Sequence, residues 1–78
     1  MPTTTDIVKV IAEHLGLAPE DLDRQASLRD ELGLGPIELN DLLSDLSQKF
    51  NVSFESEDVE GLNTVDDIVS LVEDNLLD

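Results

Sequence analysis

His14 is the only imidazole in the chain, cysteine is absent, and nineteen carboxylates supply most of the remaining side chains able to do chemistry. A lone histidine beside an apolar helix stripe lacks the positioned partners that general acid–base catalysis needs, and it reads as a partly exposed helix residue. Without thiols, neither a disulfide framework nor a thiolate metal site can form. The clusters Asp21-Leu22-Asp23 and Glu55-Ser56-Glu57-Asp58 miss the spacing of a calcium loop, in which alternate ligands and a turn glycine close around one ion. They support no more than loose divalent binding at the surface. Gly33 and Gly35 do not make a phosphate loop, because no lysine follows them and they do not join a strand to a helix. The expectation is therefore no catalytic residue, no metal site and no enzyme.

Against the nineteen acids stand four basic residues, for a formal net charge of −15. Such a field repels nucleic-acid phosphates and anionic lipid and attracts basic protein surfaces. Taken alone, the charge would also keep a small chain soluble and monomeric, and a monomer is expected. The 40% hydrophobic content is periodically arranged, which separates the chain from a disordered acidic tail. Its 78 residues fit one domain with one core, spanning 1–78. Residues 1–6 show no basic stretch leading into an apolar run, and no apolar segment approaches bilayer length. A cytoplasmic location is expected.

The elements that would position these charges are helical throughout. Thr3 and Asp6 form a capping box before Ile7, Ile11 and Leu15, with Gly16 as a stop, so a helix is expected over about 4–15. Residues 17–35 make a long connection with short turns at Pro19 and at Ser27–Asp30. Leu17, Leu22, Ala26, Leu28 and Leu32 are its expected anchors on the core. Pro36 opens a second helix, whose apolar stripe runs Leu39, Leu42, Leu43, Leu46 and Phe50. Glu38, Asp41 and Asp45 fall on its outer side as an acidic ridge. A short helix over 56–60 ends at Gly61. Thr64 and Asp67 then cap a last helix with the stripe Val65, Ile68, Val72 and Leu76, flanked by Val69 and Leu71. The fold class is all-α, a four-helix bundle with a long first loop and a short third helix.

This order of elements is similar to that of acyl carrier proteins, the phosphopantetheine-binding carrier domains. Local matches fall in sequence at Leu15-Gly16-Leu17, Ala26-Ser27-Leu28, Glu31-Leu32-Gly33, Phe50 and Asn63-Thr64-Val65, and the resemblance spans Ile7 to Asp74 without insertions. It implies that an Asp-Ser-Leu motif should open the second helix, its serine carrying 4′-phosphopantetheine. A helix N-terminus suits a phosphate, because free N–H groups point at it. The three matching positions here read Gly35-Pro36-Ile37. Proline has no hydroxyl, so no cofactor is expected to be attached. Ser27 matches a serine that such carriers leave unmodified, and Ser44 and Ser47 lie turns away from the helix start.

The resemblance further implies a partner-binding face on the second helix, carried over onto Ile37, Glu38 and Asp41, with Asp45 on the same ridge. The expected partner is the basic surface of an enzyme of fatty-acid or polyketide metabolism. Ser47 and Gln48, followed by Lys49, stand where such carriers often have acids, and Asn40 and Ser44 replace apolar contacts, so the face is partly rewritten. The main expectation is a non-enzymatic interaction module that is not covalently loaded. Its alternative is an acyl carrier modified at another hydroxyl, or one holding an acyl group or lipid non-covalently among Leu42, Leu46, Phe50, Phe54, Leu62 and Ile68. A decayed carrier with no present role is a third reading, opposed by the intact caps and stripes.

Overall fold

A computed structural model describes residues 2–76; Met1, Leu77 and Asp78, at the ends of the expected domain, lie outside the described residues. Helix α1 spans Thr4–Leu15. Its capping box forms as expected: the Asp6 N–H donates to Thr3 Oγ1 at 3.3 Å, and the Thr3 N–H to Asp6 Oδ2 at 2.9 Å. Gly16, at φ 75°, ends the helix in the left-handed region. A single 3-10 turn follows at Pro19–Asp21. Helix α2 runs Pro36–Phe50, α3 Ser56–Glu60 and α4 Val65–Leu76.

The core lies where α1, α2 and α4 meet. Ile7 and Ile11 of α1, Leu42 and Leu46 of α2, and Val65, Ile68, Val69 and Val72 of α4 are fully buried. Burying side chains of this size stabilises by about 1.5–3 kcal/mol each relative to leaving them in water, before conformational entropy is counted. Val69, expected at the flank of the α4 stripe, is central to it. The α4 stripe is therefore wider than an i, i+3, i+7 seam, as befits a helix packed against two neighbours. Helix α3 contributes no buried residue and touches this core through the half-buried Val59.

The long connection is held against the start of α4 by backbone bonds. The Leu28 N–H donates to the Asn63 carbonyl at 2.9 Å, Val65 N–H to Ala26 at 3.2 Å and Asp66 N–H to Arg24 at 2.8 Å. Ser27 and Thr64 form an isolated antiparallel bridge there, and Arg24 pairs with Asp66 above it. Leu22, Ala26 and Leu28 are buried as anchors and Leu32 is half-buried. Leu17 corrects the expectation: it is 37% exposed, because the left-handed turn at Gly16 carries the chain off the α1 stripe just before it. Gly33, at φ 67°, makes the turn that delivers the chain to α2.

Candidate functional site

The second helix begins without a side-chain cap. Gly35 is its N-cap in extended backbone, Pro36 its first residue, and the first helical bond runs from the Leu39 N–H to the Gly35 carbonyl at 2.9 Å. Proline removes one of the orphan N–H groups, but those of Ile37 and Glu38 precede the first intrahelical bond. The Glu38 carboxylate curls back toward this end: a Cβ placed on Gly35 would lie 3.0 Å from Glu38 Oε2. A negative charge there is favourable against the positive end of the helix dipole.

Hydroxyls that could stand in for one at this position are few, and two of them are engaged. Ser27 Oγ accepts the Asp30 N–H at 3.1 Å, and the Ser27 N–H donates to Glu31 Oε1 at 3.3 Å. The Ser47 hydroxyl donates to the Val52 carbonyl, bracing the far end of α2. Ser44 is exposed on the helix, about two turns from Pro36.

Of the four expected docking residues, three stand in solvent. Ile37 is 75% exposed, a large apolar side chain offered outward, and Glu38 and Asp41 are exposed beside it. Asp45 corrects the expectation of an open acidic ridge. It is half-buried against α1, with Oδ2 at 3.4 Å from His14 Nδ1 and Oδ1 at 3.9 Å from Lys49 Nζ. The cause is the roll of α2 onto α1: at 100° per residue Asp45 lies close to Glu38 on the wheel, but one end of that line meets a neighbouring helix. The His14 contact links residues 31 apart, and no local pattern announces it.

Two clefts adjoin α2. The first, of about 370 Å³, opens between α2 and the segment that leads into α3, and is lined by Leu43, Ser44, Gln48, Phe54 and Val59 among others. The second, of about 700 Å³, lies under the start of α2, between Leu28, Arg29, Pro36, Leu39 and Leu62. Of the six residues expected to line an acyl pocket, Phe54 reaches the first cleft and Leu62 the second. Leu42, Leu46 and Ile68 are fully buried core, and Phe50 packs half-buried against it. Sequence reasoning missed the apolar lining residues Leu28, Leu34 and Leu39 of the second cleft and Leu43 and Val59 of the first; Leu43 was visible only as part of the stripe, and Val59 only as the lone apolar residue of an acidic turn.

Residues 5–72 match the family model described as a phosphopantetheine attachment site. The chain belongs to that family. An acyl carrier protein from an Exiguobacterium species is 35% identical over 71 residues, covering 91% of this chain and 90% of the relative. An acyl carrier protein from Thermotoga maritima is 36% identical over 70 residues, covering 90% and 86%. In structure, the crystallised acyl carrier protein of Thermotoga maritima superposes with a TM-score of 0.74 at 24% identity, over 91% of this chain and 82% of that one. That likeness shows the fold, a four-helix acyl-carrier-type bundle. Acyl carrier proteins are carriers and not enzymes, and the chain belongs to their family. No helix among the described residues is long and apolar enough to cross a membrane.

Proposed function

We propose that this family member is a docking module without a phosphopantetheine arm, reading the basic surface of enzymes of fatty-acid or polyketide metabolism through Ile37, Glu38 and Asp41. One observation carries the reading: the residue at the first position of α2 is proline, preceded by glycine. In an attachment reaction a serine oxygen at that position would attack the pantetheine-bearing phosphate of coenzyme A, breaking its pyrophosphate bond and releasing adenosine 3′,5′-bisphosphate. Pro36 offers no oxygen, and its neighbours Leu34, Gly35, Ile37, Glu38 and Leu39 have no hydroxyl either. The residues present do not fit the group, so no acyl chemistry is assigned to the chain.

Docking by exposed charges is weak and fast. Each exposed ion pair contributes about 0–1 kcal/mol and fades with salt. Ile37 adds an apolar anchor among the carboxylates, the arrangement in which a central side chain gives affinity and the rim charges give orientation and on-rate. Asp45, tied to His14 and Lys49, joins the face only as its edge.

The test is intact mass after incubation with coenzyme A and a broad-specificity phosphopantetheinyl transferase, beside a Gly35→Asp, Pro36→Ser double variant. The wild-type mass is expected to stay unchanged while the double variant gains one arm. An arm on the wild type would overturn the reading in favour of a carrier modified at another hydroxyl. In the same assay, excess wild type should slow arm transfer to the Thermotoga maritima acyl carrier protein, and salt should relieve it. No competition at low salt would remove the docking role.

A further inference from the structure

The outward side of α2 is divided along its length. Toward α1 lie Glu38 and Asp41; toward α3 lie Asn40, Ser44 and Gln48, exposed and uncharged. In a chain with nineteen acids this neutral strip is unusual, and it forms the mouth of the 370 Å³ cleft floored by Leu43, Phe54 and Val59. On the far bank α3 exposes Glu57, Asp58 and Glu60. An uncharged opening with an apolar floor thus sits between two carboxylate banks.

We propose that this cleft receives an apolar side chain from a lysine- or arginine-flanked segment of the docking partner. The inference rests on the docking role above and names the chemistry of the partner. Carboxylates at the mouth would have to be desolvated when an apolar group entered, and their place is taken by amides and a hydroxyl. Those groups can also pair with the N–H and C=O of a peptide, whereas an aliphatic chain would use none of them. The carboxylates on both banks attract cations on either side of the entering residue. The volume is at the small end of the range for ligand pockets, enough for one side chain and its neighbours.

The experiment is an NMR titration of the isotope-labelled chain with a synthetic peptide carrying a central leucine between two pairs of lysines. Saturable shifts are expected at the Leu43 and Val59 methyl groups and the Phe54 ring. Replacing the leucine by serine in the peptide should weaken binding about tenfold, and replacing the lysines by glutamates should abolish it. A Ser44→Trp variant, filling the mouth from an exposed position, should lose the leucine preference while its melting temperature holds. Equal binding of the leucine and serine peptides, or shifts confined to Glu38 and Asp41, would overturn the proposal. So would larger shifts at the same three residues from an acyl-N-acetylcysteamine thioester, which would give the cleft to an acyl chain. The titration needs no carrier-reading enzyme. A failed transferase competition would therefore remove the docking role and leave this result readable.

Discussion

Helices α4 and α2 both begin by exposing backbone N–H groups that no helical carbonyl can reach, and they meet that need in opposite ways. At α4, Asp67 Oδ2 accepts from the N–H groups of Asn63 and Thr64 at 2.9 and 3.0 Å, and Thr64 Oγ1 accepts from Asp67 at 3.2 Å. The long connection is bonded to the same segment, so the start of α4 is closed on all sides. At α2, a glycine and a proline supply no side-chain acceptor, and only the Glu38 carboxylate leans toward the end. The closed start serves the fold. The open one stands in solvent, and Ile37 projects from it.

Two isoleucines give the comparison its largest test. Ile68 lies in the first turn of α4 and is fully buried; Ile37 lies in the first turn of α2 and is 75% exposed. Ile68→Ala leaves a cavity in the packed trio and should lower the unfolding free energy by about 2–5 kcal/mol. For a domain whose whole stability is of order 5–15 kcal/mol, that is a large share. Ile37→Ala should change stability by no more than about 0.5 kcal/mol and yet reduce competition with the Thermotoga carrier. Urea unfolding of both variants decides it. A comparable loss for Ile37 would mean that the α2 start is a structural junction like that of α4.

The cap on α4 predicts a smaller effect with a pH signature. Thr64→Ala should cost about 1 kcal/mol, within the usual range for an N-cap. The backbone N–H groups of Asn63 and Thr64 hold the Asp67 carboxyl below its ordinary value, outweighing its partial burial. Because the folded value is the lower one, Asp67 stabilises the fold at pH above its unfolded value of about 4. That contribution is lost as pH falls through the folded value. An Asp67→Asn variant should therefore differ most from wild type at neutral pH and converge with it in acid. Melting curves across that range check this, and a constant difference would show that the cap does not discriminate charge.

Much of this contrast was legible in the residues. Thr64-Val65-Asp66-Asp67 announces a capping box because the box is local, four residues long and made of specific acceptors. Pro36 and the apolar stripes likewise gave the helix starts and the buried faces, since propensity and period are local quantities. The end of the short α3 followed from Gly61. What escaped was set by packing between distant segments. The pairing of Asp45 with His14 depends on how α2 rolls against α1, and the cleft beneath Ser44 depends on where Phe54 and Val59 meet α2. The exposure of Leu17 escaped for a related reason: an apolar residue after a left-handed stop has no periodic partner to fix its direction.

The smallest effect bears on whether Glu38 is the working substitute for the missing cap. Aspartate is only a few tenths of a kcal/mol better than glycine at an N-cap, so Gly35→Asp by itself should barely move the stability. The added Cβ would meet Glu38 Oε2, and two carboxylates would then compete for one pair of N–H groups. Glu38→Gln should thus be mildly destabilising in the wild-type background and mildly stabilising in the Gly35→Asp background. The double-mutant cycle, read from thermal melts, should give a coupling of about 0.5 kcal/mol or more whose size falls at high salt. Additive changes would mean that Glu38 serves only the docking face. A positive coupling would mean that the residue which offers a charge to partners also steadies the uncapped helix, so that the partner's basic group and the helix end draw on one carboxylate.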